Sequence, residues 1–109
     1  MEFFGLISVI RFWSLVLAKV ILQGFIVIPD SELEIVKSEL NTHKNLTLKE
    51  SGCLIFIVTP DKINPNKFSV YEEFVSQEAF DYHQARVSSS NWGDITKNVE
   101  RHYEINSGE

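Results

Sequence analysis

The chain has 109 residues, with 10 Lys and Arg against 15 Asp and Glu, for a net charge of −5. That length serves one domain with one core and is too short for two. Without a basic run or stripe, nucleic acid is excluded as a natural partner. The lone Cys53 excludes an internal disulfide and a cysteine-rich zinc site.

The first 28 residues are strongly apolar. From Phe3 to Ile28 the only ionisable side chains are Arg11 and Lys19. A mid-span arginine is costly in a bilayer, and Glu2 stands where a signal peptide carries positive charge. The stretch is therefore divided into an apolar extension, residues 1–18, and a domain, residues 19–109. In the extension Glu2, Gly5, Ser8, Arg11 and Ser14 recur every third residue and sweep around a helix instead of forming one polar side. It must bury itself on a neighbouring element, a partner subunit or lipid, unless it is an upstream start with no role. Membrane contact is the weaker alternative, and the expected location is the cytoplasm.

Val20 to Ile28 is β-branched and aromatic, a predicted strand. Pro29-Asp30-Ser31 breaks it, and Ser31 with Glu34 matches a capping box. Leu33, Val36, Leu40, His43 and Thr47 then share one helical stripe, with His43 almost two turns past Val36 on the buried side. Glu50-Ser51-Gly52 ends the helix. Leu54 to Thr59 is apolar on both faces of a strand, and Cys53 at its start reads as a small buried hydrophobe. Pro60 to Asn66 is turn chemistry, Phe68 to Val75 a second strand, and the two form a hairpin. Ser76 caps the next helix, with Glu78 in its first turn and Ala79, Phe80, His83 and Val87 along one face. Trp92, Ile95 and Val99 mark a short last helix. Arg101 to Ile105 is a closing strand, and Asn106 to Glu109 a polar tail.

Strand, helix, strand, strand, helix, strand is the α+β, ferredoxin-like split βαβ order with an antiparallel sheet. Helices cover only one face of such a sheet. The runs around residues 20–28 and 54–58 are apolar on both faces, so a second copy is the economical cover and a homodimer is expected.

The chemistry-bearing positions follow from the same periods. Phe68, Val70, Glu72 and Phe74 share one strand face, which sets a carboxylate in an apolar row. His83 points inward from the following helix, so Glu72 and His83 form either a proton relay or a structural hydrogen bond that docks the helix. His43 is a satisfied core histidine or a pocket residue. Arg86 and Arg101 hold an anionic oxygen or form surface ion pairs. Phe56, Phe74 and Trp92 are core aromatics or pocket walls, and Tyr71 is assigned to the dimer face. No metal-ligand set is read. The five glycines never cluster into a dinucleotide or phosphate-binding fingerprint.

The stretch from His43 to Arg86 resembles the antibiotic biosynthesis monooxygenase family, small dimeric α/β-barrel proteins that include quinol monooxygenases. The resemblance is carried by His43, Glu50, Gly52-Cys53-Leu54, Phe56, Asp61, Phe68, Tyr71-Glu72, Phe74, Ala79 and His83. Trp92-Gly93 and Arg101-His102-Tyr103 are similar to its quinol monooxygenase branch, and the likeness covers residues 19–105. It implies a cofactor-free oxygenase in which a base deprotonates a small quinol or phenol and the substrate anion itself reduces dioxygen. His83 or His43 would be the base, Glu72 would orient or share the proton, and His43 would line the pocket mouth. The pocket asparagine and tryptophan used by some members are not evident, and Gln23 stands on the first strand instead. Two other readings stay open: a haem-binding or haem-degrading protein ligating iron through His83, and a non-catalytic dimeric small-molecule-binding protein.

Overall fold

A computed structural model describes residues 18–108. The extension assigned to residues 1–18 therefore lies outside the described residues, apart from Ala18. Strand β1 runs Lys19–Val27 and a 3-10 turn spans Asp30–Glu32, followed by helix α1, Leu33–Leu48. Strands β2, Cys53–Pro60, and β3, Lys67–Phe74, form the hairpin, with helix α2 at Gln77–Ser88. Helix α3, Asn91–Ile95, and strand β4, Glu100–Gly108, complete the order. The sheet order is β2-β3-β1-β4 with every neighbour antiparallel, the ferredoxin-like split βαβ arrangement.

Alternation along the strands decides what is buried. Val20, Leu22 and Ile26 of β1 and Phe68, Val70, Glu72 and Phe74 of β3 face the helices and are buried. They pack with Val36 of α1 and Phe80 of α2 into one core. Gly24 of β1 has φ +154°, and a Cβ there would lie 1.9 Å from the carbonyl oxygen of His102. Only glycine allows β4 to approach β1 so closely at the Gly24–Tyr103 pair.

Ser76 caps α2 as expected, accepting from the Ala79 amide at 3.1 Å. The capping box at Ser31 does not form. Ser31 lies inside the 3-10 turn, and the residue before α1, Glu32, makes no side-chain cap. The entry to the helix is pinned from outside instead: the Asn66 amide donates to the Ile28 carbonyl and to Asp30 Oδ1, both at 2.7 Å. Helix α3 stops at Ile95, so Val99 is buried beyond it and not on it.

Residues 106–108, expected as tail, extend β4 instead. Asn106, Ser107 and Gly108 pair with Ile21, Val20 and Lys19. Strand pairing is driven by the free backbone groups of β1, which a polar side-chain sequence does not remove.

The outer face of the sheet is less uniformly apolar than the strand runs suggest. Ile57 of β2 is 53% exposed and Leu54 47%. On β3, however, that face carries Ser69, Tyr71 and Glu73, with the Tyr71 hydroxyl donating to Glu73 at 2.6 Å. Among the described residues no helix is long and apolar enough to cross a membrane.

Candidate active site

Between the helix-covered face of the sheet and helices α1 to α3 lies a cavity of about 360 Å³ whose wall includes His43, Glu72, His83, Trp92, Arg101 and Tyr103. They arrive by five elements, Arg101 and Tyr103 both on β4, so the site exists only in the folded chain.

His83, on α2, is 3% exposed and its ring lies 4.8 Å from that of Phe74 beneath it. Its Nδ1 is 2.9 Å from Glu50 Oε2, and its Nε2 is 3.6 Å from Glu72 Oε1. Glu50 comes from the turn between α1 and β2. One turn along α2 from His83, Arg86 Nε donates to the same Glu50 Oε2 at 2.7 Å, and Arg86 Nη2 donates to Thr47 Oγ1 at 3.1 Å. An oxygen that accepts from a guanidinium is an acceptor, so Nδ1 of His83 carries a proton and donates it to Glu50. The lone pair of a neutral His83 is then on Nε2, toward Glu72 and the cavity.

Burial, and then the charge of Glu50, push Glu72 up to about 7, and its Oε1 has no hydrogen-bond partner among the described residues. Burial holds His83 below its ordinary value, partly opposed by the bond to Glu50. The site therefore pairs a neutral imidazole with a carboxyl group that titrates near neutrality.

His43 is pushed down to about 3 by burial and by the neighbouring His83, Arg86 and Arg101. It is neutral, stacked on Trp92 at 4.5 Å with 6° between the planes, and its Nδ1 has no hydrogen-bond partner among the described residues. Burial and the Glu72 charge push Tyr103 up to about 12, so its hydroxyl keeps its proton. Arg101 is not a surface ion pair. Its Nη1 donates to the carbonyls of Thr96 at 3.0 Å and Val99 at 3.2 Å, and Nη2 to Thr96 Oγ1 at 2.7 Å. It is held rigid against the turn before β4 with its positive charge on the cavity wall.

The other expected wall residues sit behind that wall. Phe74 is fully buried under His83. Phe56 packs edge-on against His43 at 5.4 Å. Arg86 is neither on the cavity wall nor in a surface pair, because Glu50 and Thr47 hold it on the back of His83. Cys53 is half-buried, and burial together with Glu50 and Glu72 pushes its thiol up to about 11, consistent with a filler and not a nucleophile. Among the described residues no group of three or more His, Cys, Asp or Glu side chains is placed to hold a metal ion.

The family model for antibiotic biosynthesis monooxygenases matches residues 20–93, the span that carries β1 through the start of α3. The chain belongs to the antibiotic biosynthesis monooxygenase family. No functionally curated protein is detectably similar to it in sequence. Solved structures agree on the fold. A candidate antibiotic biosynthesis monooxygenase from Deinococcus radiodurans is 22% identical with a TM-score of 0.71, over 83% of this chain and 92% of that one. Another from Nitrosomonas europaea is 16% identical with a TM-score of 0.69, over 85% and 91%. SnoaB from Streptomyces nogalater, a cofactor-independent oxygenase, is 9% identical with a TM-score of 0.67, over 84% and 94%.

Within this family fold the Glu72–His83 pair has a third member that periodicity does not reveal. Glu50, not Glu72, is the hydrogen-bonded partner of His83. It lies in a turn, where no repeat fixes the direction of a side chain; its place among the residues that carry the family resemblance is the one signal that points to it.

Proposed function

We propose that the protein is a cofactor-free monooxygenase that oxidises a small quinol or phenol with dioxygen. The observation that carries this reading is the buried series Glu50, His83, Glu72 on the wall of a cavity of about 360 Å³. His83 Nε2 and Glu72 Oε1 are 3.6 Å apart, and because Oε1 is covered, a small shift of the Glu72 side chain lets one hydroxyl oxygen sit within hydrogen-bond range of both. His83 Nε2 takes the hydroxyl proton, and Glu50 stabilises the imidazolium through Nδ1. The acid form of Glu72 donates to the substrate oxyanion, and Arg101 adds a fixed positive charge to the same wall.

The electron balance asks no more of the protein. A 1,4-quinol and dioxygen give a hydroxyquinone and water: one oxygen atom enters the ring, the other leaves as water, and the substrate supplies all four electrons. The proton held on His83 returns to the departing oxygen, which resets the base. His43, neutral and stacked on Trp92, forms an aromatic part of the cavity wall. Ligation of a haem iron by His83, the alternative reading, would set the metal against Glu72, which already lies 3.6 Å from Nε2. The decisive experiment is oxygen uptake by the purified protein with a panel of mono- and dihydroxy aromatics. Stoichiometric uptake with hydroxyquinone formation is expected, whereas tight binding without uptake would favour a non-catalytic binding protein.

The same proposal includes a homodimer. The exposed Leu54 and Ile57 and the half-buried Ile21, Phe25 and Val27 lie on strands whose outer side no helix among the described residues covers, and a second sheet is the natural cover. Tyr71, with Glu73, belongs to that face. Sedimentation should give a dimer at micromolar concentration, and a stable monomer there would remove the dimer from the proposal.

A further inference from the structure

Two donors converge on a single carboxylate oxygen behind the proposed base. Glu50 Oε2 accepts from His83 Nδ1 at 2.9 Å and from Arg86 Nε at 2.7 Å. The other oxygen of the same group, Oε1, is buried without a hydrogen-bond partner among the described residues. A carboxylate given wholly to an imidazole favours the imidazolium, and an imidazolium cannot act as a base. A guanidinium on the same oxygen offsets that pull by compensating the negative charge and competing for the lone pairs.

The position of Arg86 is fixed independently of His83. Its Nη2 donates to Thr47 Oγ1 at 3.1 Å, and Thr47 Oγ1 donates to the His43 carbonyl at 2.8 Å. Arg86 is thereby tied to α1 while its Nε is committed to Glu50. It does not line the 360 Å³ cavity, and the one it borders with His43 and Trp92 is about 50 Å³, too small for an aromatic ring, so direct work on a substrate does not explain why a cation is held there.

We infer that Arg86 is a positioning residue that acts through Glu50, sharing the carboxylate so that His83 stays a neutral, basic imidazole at physiological pH. The inference rests on the proposed role of His83 as the base. The other ionisable groups around His83 do not substitute for it. Glu72 on β3 favours the imidazolium when ionised. His43 on α1, whose ring centre is 6.0 Å away, is neutral. Cys53 and Tyr103 keep their protons. Arg101 is engaged with Thr96 and Val99 on the turn before β4.

The test is direct titration of the His83 ring by NMR in the full chain without substrate, in Arg86→Gln, Arg86→Lys and Glu50→Gln proteins. Arg86→Gln should raise the His83 midpoint by about one pH unit or more, because Glu50 is then left to the imidazole alone. Arg86→Lys keeps the charge and should leave it close to the parent value. Glu50→Gln removes the carboxylate and should lower it. In oxygen uptake the acid limb of the pH profile should move upward in Arg86→Gln by the same interval, costing roughly tenfold in rate below the new midpoint and nothing well above it. An unchanged or lowered midpoint in folded Arg86→Gln overturns the inference, as does a rise in Arg86→Lys as large as in Arg86→Gln. Should Arg86→Gln fail to fold, the Arg86→Lys and Glu50→Gln midpoints still decide it: a lysine value well above the parent, or a Glu50→Gln value that does not fall, overturns it. If no aromatic substrate is oxidised by the parent protein, the proposed function fails while the titrations still report on Arg86.

Discussion

Replacing His83 by alanine should lower oxygen uptake by about a hundredfold or more, the usual cost of losing a general base. Alanine also removes a side chain that fills space above Phe74 and donates to Glu50, so the fold should lose roughly 1–3 kcal/mol. Activity and stability therefore fall together in that variant, and a second substitution separates them. In His83→Asn the amide nitrogen reaches the position of Nδ1 and keeps the donor to Glu50 Oε2, now 2.9 Å from the imidazole. Nothing basic remains at the position of Nε2. The asparagine protein should melt close to the parent and still lose the hundredfold. Parent-like uptake in a folded His83→Asn protein would end the role of His83 as base. It would also move the search to His43, although burial and its cationic neighbours make that ring a much weaker base, at about 3.

Periodicity in the sequence was enough to bring most of this site together. Glu72 on a strand of period two and His83 and His43 on helical stripes can each be assigned to the inner side, and all three meet at one cavity. Depth is another matter. A period assigns a face and says nothing of how far behind the surface a side chain ends, so Phe56 and Phe74 are on the right face and yet behind the cavity wall. Turns escape the method altogether: Glu50 is outside any repeat, although it holds the base. The ends of elements depart from local patterns for a related reason. The capping box at Ser31 is a correct local pattern that loses to the Asn66 side chain arriving from the β2–β3 loop. The polar residues 106–108 pair because β1 offers backbone partners. In both cases a contact distant in sequence overrides a local preference. The outer sheet face shows the same limit, since Ile57 and Tyr71 pair directly while Glu73 brings charge into the row.

Glu72→Gln should make the protein more stable, and by an amount that depends on pH. The folded chain binds the Glu72 proton more tightly than the unfolded chain does, because burial and Glu50 raise the group from 4.5 to about 7. Between those two values the folded state carries more protons, so this group lowers stability progressively as pH rises from about 4.5 to about 7, and the loss is complete above that. The full effect is on the order of 3 kcal/mol for such a shift. Glutamine keeps the shape and hydrogen-bond donor of the protonated acid and never ionises. The stability difference between Glu72→Gln and the parent should therefore be small near pH 4.5, grow through neutrality and level off at about 3 kcal/mol in favour of glutamine above pH 7. His43 and His83, whose buried rings resist protonation, act in the opposite sense on acidification; both are present in both proteins, so only the part of the His83 titration that the Glu72 charge sets remains in the difference. Denaturant unfolding at a series of pH values measures it. A parallel difference across the whole range would show that Glu72 is not held in a site that resists its charge. In oxygen uptake the same variant should lose the pH limb that Glu72 sets near 7. On the proposed function, the acid form that this environment favours is the one that donates to the substrate oxyanion.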